Sequence, residues 1–127
     1  MEKFVLFLDD SAERAAVQFQ RWPDAKRERT LWVENASSAI DAIDKLRGKF
    51  DEIHLDHDLG GMTYVHSGNE NTGMEVVRWF EKLSIEDLSA FDHTYFVVHS
   101  WNIPANNSMT KRLKELVLRV ISRPFGN

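Results

Sequence analysis

Residues 4–10 read Phe-Val-Leu-Phe-Leu-Asp-Asp, five apolar residues that lead directly into two acids. A continuous apolar run of this length is typical of a strand covered on both faces, as at the centre of a parallel sheet. The arrangement recurs twice, because residues 50–55 lead into Asp56-His57-Asp58 and residues 94–98 lead into His99-Ser100. The carboxyl ends of parallel strands meet at one edge, so we expect these polar groups to share one crevice.

Helix signals separate the strands. Apolar residues recur at helical spacing in four segments, and polar residues that favour helix starts precede them. The predicted helix starts are Ser11, Ser37 or Ser38, a position near Thr72, and Asn107 or Ser108. Gly48 stands where a residue in the left-handed conformation commonly follows a helix.

Two more segments complete the predicted sheet. Residues 30–33 are a strand candidate, whereas residues 118–122 either extend the last helix or form a fifth strand. The β-branched pair Val120-Ile121 and the following Pro124 favour the strand. The alternation of strands and helices predicts one α/β domain over residues 1–127, built on a doubly wound parallel sheet.

Composition restricts the functional classes. The 127 residues suit one domain, and 16 basic against 20 acidic residues provide no general attraction for nucleic acid or an anionic membrane. The absence of cysteine excludes disulfides and thiolate chemistry. Because the apolar runs are far shorter than the ~20 residues of a membrane span and no signal-type segment stands at the start, we expect a cytoplasmic protein without membrane contact.

Asp9, Asp10 and Asp56 are predicted to lie close together at the sheet edge. Crowded carboxylates repel one another unless a cation or a bound proton sits among them. A hard divalent ion, Mg²⁺ or Mn²⁺, therefore fits three such ligands. The alternative for Asp10 alone is that it caps the following helix.

The order of these residues resembles that of a response-regulator receiver domain. In receivers an acid pair ends the first strand, the phosphoryl-accepting aspartate ends the third, a hydroxyl residue ends the fourth, and a lysine followed by proline ends the fifth. The corresponding residues here are Asp9-Asp10, Asp56, His99-Ser100 and Arg123-Pro124. The resemblance implies a flavodoxin-like sheet of five strands in the order 2-1-3-4-5.

Departures from the receiver pattern point to a subfamily. Arg123 replaces the lysine, titrating side chains surround Asp56, and no final helix is expected after Phe125. Leu-Asp-His-Asp-Leu-Gly at 55–60 together with His-Ser-x-Asn at 99–102 is similar to cyclic-phosphate-processing receiver domains. This resemblance implies action on cyclic phosphates of RNA ends or of nucleotides, with a nucleotide or an RNA-end phosphate as the ligand.

Chemistry assigns roles that suit such a substrate. Opening a cyclic phosphodiester requires an activated water, a proton donor for the departing oxygen and stabilisation of charge on the phosphoryl oxygens. Histidine serves as acid or base near neutrality, so His57 and His99 are the predicted catalytic pair, with Asp58 orienting one imidazole. The predicted substrate-binding residues are Ser100, Asn102, Arg123 and Trp101, and the predicted metal ligands are Asp9, Asp10 and Asp56.

Structural interpretations compete with several of these roles. A histidine after a strand is often only a hydrogen-bonded turn residue, and His54, within a strand, is expected to be structural. Trp101 could stack on a base or pack within the protein. The loop at 61–73 is longer than most connections and is a candidate lid.

Three functions compete for the same pocket. The first is a metal-assisted phosphoesterase, the second is a signalling receiver phosphorylated at Asp56, and the third is a nucleotide-binding protein without turnover. The sequence leaves the oligomeric state open.

Overall fold

A computed structural model describes residues 3–20, 29–59, 68, 71–100 and 102–123. Trp101, Pro124, Phe125 and most of the candidate lid, residues 61–67, 69 and 70, lie outside these ranges, and so do the side chains of residues 17–20. The strands are β1 (Val5–Leu8), β2 (Thr30–Val33), β3 (Glu52–Leu55), β4 (Tyr95–Val98) and β5 (Arg119–Ser122). The helices are α1 (Ala12–Gln20), α2 (Ala36–Lys45), α3 (Gly73–Glu81), α4 (Ile85–Leu88) and α5 (Ile103–Glu115), with a 3₁₀ turn at Ser89–Phe91. No helix within these ranges has both the length and the apolar character needed to cross a bilayer.

The strands of the described residues form one parallel sheet in the order β2-β1-β3-β4-β5. This confirms the predicted topology, including the fifth strand at Arg119–Ser122. The registers align the strand ends, since Leu8 pairs with Val33 and Leu55, and Leu55 pairs with Val98. The residues that follow the strands are therefore brought to one edge of the sheet.

One face of the sheet carries the main hydrophobic core. Three helices, α2, α3 and α5, supply apolar side chains that pack with this face. From the sheet the core residues include Leu6, Leu8, Ile53, Leu55, Phe96, Val98 and Val120, and from the helices they include Ile43, Val77, Phe80, Met109 and Leu113. The strand residues of this set alternate along the chain, as expected where one face of a strand packs on helices.

Polar caps fix where the helices begin, and they correct two predictions. Ser11 caps α1 as predicted, because its Oγ accepts a hydrogen bond from the Arg14 N–H at 3.2 Å. The cap of α2 is Asn35 rather than Ser37 or Ser38, and it accepts from the Ser38 N–H at 2.8 Å. The last helix begins at Ile103, capped by Asn102, and not at Asn107 or Ser108. The reason is that Pro104 fits the first turn of a helix, where its missing N–H costs nothing.

Gly73 allows α3 to start directly against the end of β3. Its N–H donates to the carbonyl oxygen of His57 at 3.0 Å. A Cβ built on Gly73 would lie 2.0 Å from the carbonyl oxygen of Asp56 and 2.8 Å from the Met109 side chain. Only glycine permits this approach. The start of α3 therefore helps to fix the backbone around Asp56.

Candidate functional site

Backbone hydrogen bonds continue one residue past the strands and align the residues of the site. The Asp9 N–H donates to the Val33 carbonyl, the Asp56 N–H to that of Leu8, and the His99 N–H to that of Leu55. These bonds measure 3.1, 3.0 and 2.9 Å, respectively. The Trp32 indole Nε1 adds a 2.7 Å hydrogen bond to the carbonyl oxygen of Asp9. The edge is therefore held in place by the sheet itself.

Three carboxylates meet at this edge, as the sequence predicts. Asp9, Asp10 and Asp56 each offer an oxygen, and these oxygens all lie within 4.8 Å of one another. Asp9 and Asp56 are buried, whereas Asp10 is half-buried. A set of hard oxygen ligands at this spacing fits a divalent ion such as Mg²⁺ or Mn²⁺.

Arg14 also belongs to this cluster, and sequence reasoning did not single it out. Its Nη2 donates to Asp9 at 2.9 Å, to Asp10 at 3.3 Å and to Asp56 at 3.2 Å. Helical side chains point back toward the N-terminus, so an arginine in the first turn after an acid pair is placed to return to it. That spacing was the signal available in the sequence.

The pKa values of the two buried acids, Asp9 and Asp56, are shifted in opposite directions. Burial and the neighbouring charge of Asp9 raise the pKa of Asp56 to about 8, although Arg14 opposes the rise. Burial also disfavours the charged form of Asp9, but hydrogen bonds from His99, Arg14 and the Ser11 N–H outweigh it and lower the pKa of Asp9. A cation at the cluster would oppose both the burial and the repulsion from Asp9 that raise the pKa of Asp56.

His99 lies beside these carboxylates. Its Nε2 is 3.3 Å from Oδ2 of Asp9. Its ring stacks on Phe7, with centroids 4.9 Å apart and parallel planes, and the His54 ring lies 6.2 Å away. Burial lowers the pKa of His99 to about 4, against the opposing hydrogen bond to Asp9. At neutral pH the imidazole is therefore neutral and can accept a proton.

His57 and Asp58 form a second, connected group. The Nδ1 of His57 lies 2.6 Å from Oδ1 of Asp58, and the same oxygen accepts from Nδ2 of Asn102 at 3.1 Å. The His57 N–H donates to Oδ1 of Asp56 at 2.9 Å. His57 is fully buried and Asp58 nearly so. The arrangement fixes the His57 ring and ties the segment after β3 to the start of α5.

The predicted substrate-binding residues lie in different surroundings. Ser100 is buried, and its Oγ accepts from the Asn102 N–H at 3.1 Å. The exposed Arg123 lines a cleft of about 510 Å³ together with Tyr95, Val97 and Ile121. The guanidinium that contacts the three carboxylates is that of Arg14. Trp101 falls outside the described residues.

Comparisons with known proteins agree with this architecture. A family model described as a cyclic-phosphate processing receiver domain matches residues 4–115. The signal receiver domain of a protein described as a Luxo repressor from Vibrio parahaemolyticus is similar, with a TM-score of 0.61 and 20% identity over 100% of this chain and 81% of that chain. A response regulator protein from Burkholderia pseudomallei, solved with a phosphorylated aspartic acid, a calcium ion and citrate, has a TM-score of 0.61 and 15% identity over 99% of this chain and 61% of that chain. No curated protein matches the chain.

Proposed function

Because the chain belongs to the family of cyclic-phosphate processing receiver domains, we propose that it is a metal-assisted phosphoesterase that opens cyclic phosphates of RNA ends or nucleotides. The observation that carries this proposal is the 3.3 Å contact between Nε2 of His99 and Asp9. It puts an imidazole next to three carboxylates at a single edge of the sheet. Phosphodiester hydrolysis requires a base and a site for a cation at such close range.

Asp9, Asp10 and Asp56 are the residues that would hold the ion. A bound Mg²⁺ or Mn²⁺ supplies charge stabilisation for phosphoryl oxygens and polarises water. The three carboxylates would hold it on the side of the cluster that His99 contacts through Asp9. The buried Asp9 and Asp56 are held by β1 and β3, so the position is set by the sheet rather than by a loop.

His99 is the proposed general base. With Nε2–H directed at Asp9, its neutral ring takes a proton at Nδ1 from water as the water oxygen attacks phosphorus. The bond from phosphorus to the 2′ or 3′ oxygen breaks, and His57 donates a proton to that departing oxygen, which leaves a phosphomonoester. Exchange with solvent then removes the proton from His99 and restores the proton of His57. Asp58 keeps the His57 ring oriented through Nδ1.

Other predicted residues have supporting roles. Ser100 accepts from the Asn102 N–H, and Asn102 caps α5 by accepting from the Ala105 N–H, so they shape the segment that follows His99. Arg123 and Trp101 remain proposed contacts to the phosphate and to a base. The ligand class is a nucleotide or an RNA-end phosphate.

The test is hydrolysis of 2′,3′-cyclic nucleotides, cyclic oligonucleotides and linear phosphodiesters with Mg²⁺ or Mn²⁺. We expect turnover of a cyclic substrate that falls about 10²-fold or more in His99→Gln. The matched control is His93→Gln, since His93 is exposed and precedes β4. Absence of turnover with both metals contradicts the proposal, and tight binding without product identifies a nucleotide-binding protein instead.

A second candidate function is phosphoacceptance at Asp56. It is favoured by the position of Asp56 directly after β3, with Asp9 and Asp10, which follow β1, near its carboxylate. Incubation with acetyl phosphate and Mg²⁺ tests it, because a receiver would take up phosphate and Asp56→Asn would not. Arg123 in place of a lysine weighs against this function.

A further inference from the structure

Arg14 occupies the centre of the carboxylate cluster. Its Nη2 lies within 3.3 Å of an oxygen of Asp9, Asp10 and Asp56, and its Nε lies 3.0 Å from Oδ2 of Asp9. The guanidinium therefore donates to Asp9 through both Nε and Nη2. Nη2 also donates to Asp10 and Asp56. Among the described residues, it is a counter-charge that contacts all three carboxylates.

A divalent ion bound by the same three oxygens would need this space. Mg²⁺ binds its oxygen ligands at about 2.0–2.1 Å, inside the 2.9–3.3 Å separations that join Nη2 to the carboxylates. A nitrogen and an ion centred on the same oxygens overlap. An ion on the three oxygens that Arg14 contacts would therefore displace the guanidinium.

Of the residues in this cluster, Arg14 is the one whose side chain can move away. Its side chain is 31% exposed, whereas the side chains of Asp9 and Asp56 are 0% and 4% exposed. Arg14 stands in the first turn of α1 on a flexible stem, while both buried acids follow strands of the sheet. Rotation of this stem carries the charge toward solvent without moving the backbone.

We propose that Arg14 is the resident counter-ion of the carboxylate cluster, that it withdraws when a divalent ion binds, and that competition with Arg14 sets the affinity for the ion. This inference depends on the metal site of the proposed function. It makes Arg14 a positioning residue, because in the metal-free chain it holds the three carboxylates together.

Calorimetric titration with Mn²⁺ alone, without substrate, tests the competition. We expect Arg14→Met to bind Mn²⁺ at least about tenfold more tightly than the wild type. Arg14→Lys should lie between the two, because lysine keeps the charge but lacks the two-nitrogen fork. The matched control is Arg78→Met, in which an arginine of similar exposure loses its ion pair with Glu75 and the wild-type affinity should remain. Circular dichroism verifies that each variant is folded.

Arg14→Met could bind Mn²⁺ more tightly simply because a positive charge is removed, without any movement of Arg14 in the wild type. A second measurement therefore follows the Arg14 guanidinium itself. In ¹⁵N-resolved NMR spectra, the Nε–H of Arg14 is identified by its absence in Arg14→Lys. We expect slow exchange with solvent in the metal-free wild type, because Nε–H donates to Asp9. Mn²⁺ is paramagnetic, so Mg²⁺ is used here, and the exchange should become fast as Mg²⁺ saturates the site.

The outcomes separate this inference from the proposed function. Equal or weaker Mn²⁺ binding in folded Arg14→Met, or an Nε–H that stays protected in the Mg²⁺ complex, overturns the role of Arg14 and leaves the metal site intact. Binding to Arg14→Met alone supports the competition but contradicts a metal-dependent wild-type enzyme. Failure of wild type and Arg14→Met alike to bind either ion overturns both.

Discussion

The Nε2 of His99 lies 3.3 Å from Oδ2 of Asp9, although β3 separates the strands that these residues follow. The His99 ring also stacks on Phe7, a residue of β1. His99 therefore reaches across the end of β3, which is where Asp56 lies. This contact connects the imidazole to the buried carboxylate of Asp9, so substitutions here should change pH dependence as well as chemistry.

The wild type should lose stability on acidification because of His99. The pKa of His99 is lowered to about 4 in the folded chain, against about 6.5 when unfolded. Between these values the unfolded chain binds a proton that the folded chain does not, so the free energy of unfolding falls as pH falls from 6.5 to 4. In His99→Gln this contribution, about 1–3 kcal/mol, should be absent. Urea denaturation of both proteins across this pH range measures the contribution. If the free energy of unfolding changes with pH equally in the wild type and in His99→Gln, the prediction is wrong.

The titration of Asp56 should change the free energy of unfolding with pH in the opposite direction to that of His99. Its pKa is raised to about 8, so between pH 4 and 8 the folded chain retains a proton that the unfolded chain has lost. Without divalent ions the stability contribution of Asp56 therefore decreases as pH rises through this range. We expect Asp56→Asn to exceed the wild type in Tm by a few degrees at pH 8, with a smaller difference near pH 4. Thermal unfolding in chelator checks this, and a difference independent of pH would argue against it.

Gly73→Ala should destabilise the chain by about 3 kcal/mol or more. The added methyl group would meet the Asp56 carbonyl oxygen at 2.0 Å, and relief would require movement of the end of β3. The control is Gly48→Ala, where φ is +78° and the nearest atom to a Cβ is the Ala90 carbonyl oxygen at 3.4 Å. That substitution should cost only about 1 kcal/mol from backbone strain. Equal losses in chemical denaturation would show that the contact at Gly73 is relieved cheaply.

Asn102→Ala should cost more than the loss of an ordinary helix cap. The Asn102 side chain accepts from the Ala105 N–H and donates to Asp58, so alanine removes both contacts. Asn35→Ala is the matched control, because exposed Asn35 caps α2 through the Ser38 N–H. Loss of a helix cap lowers the free energy of unfolding by about 1 kcal/mol. Asn102→Ala should lower it by about 1 kcal/mol more than that, because the hydrogen bond to Asp58 is lost as well. If denaturant midpoints shift equally in both variants, the contact with Asp58 contributes nothing.

The sheet was predictable because its signal is local. Continuous apolar runs such as residues 4–8 identify buried strands, and acids at their ends predict which polar groups meet. The fifth strand followed from the β-branched pair Val120-Ile121. The start of α5 was mistaken because the prediction gave weight to Asn107 and Ser108 and did not recognise Asn102 followed by Pro104 as a helix start.

The contents of the site were only partly predictable. The grouping of the three acids follows from strand order, which sequence patterns indicate. The position of the Arg14 guanidinium and the contact of His99 with Asp9 depend on side-chain direction and on packing between distant segments. The cooperation of Asp58 with Asn102 likewise requires the ends of β3 and β4 to be placed side by side.

The hydrogen bond from the Trp32 indole to the Asp9 carbonyl oxygen has a practical consequence. Indole emission responds to its hydrogen-bonding partner, so this tryptophan is an intrinsic fluorescent reporter on the backbone of the acid pair. Trp32→Phe isolates its share of the spectrum, and stopped-flow mixing can then follow events at Asp9 in real time without an attached dye.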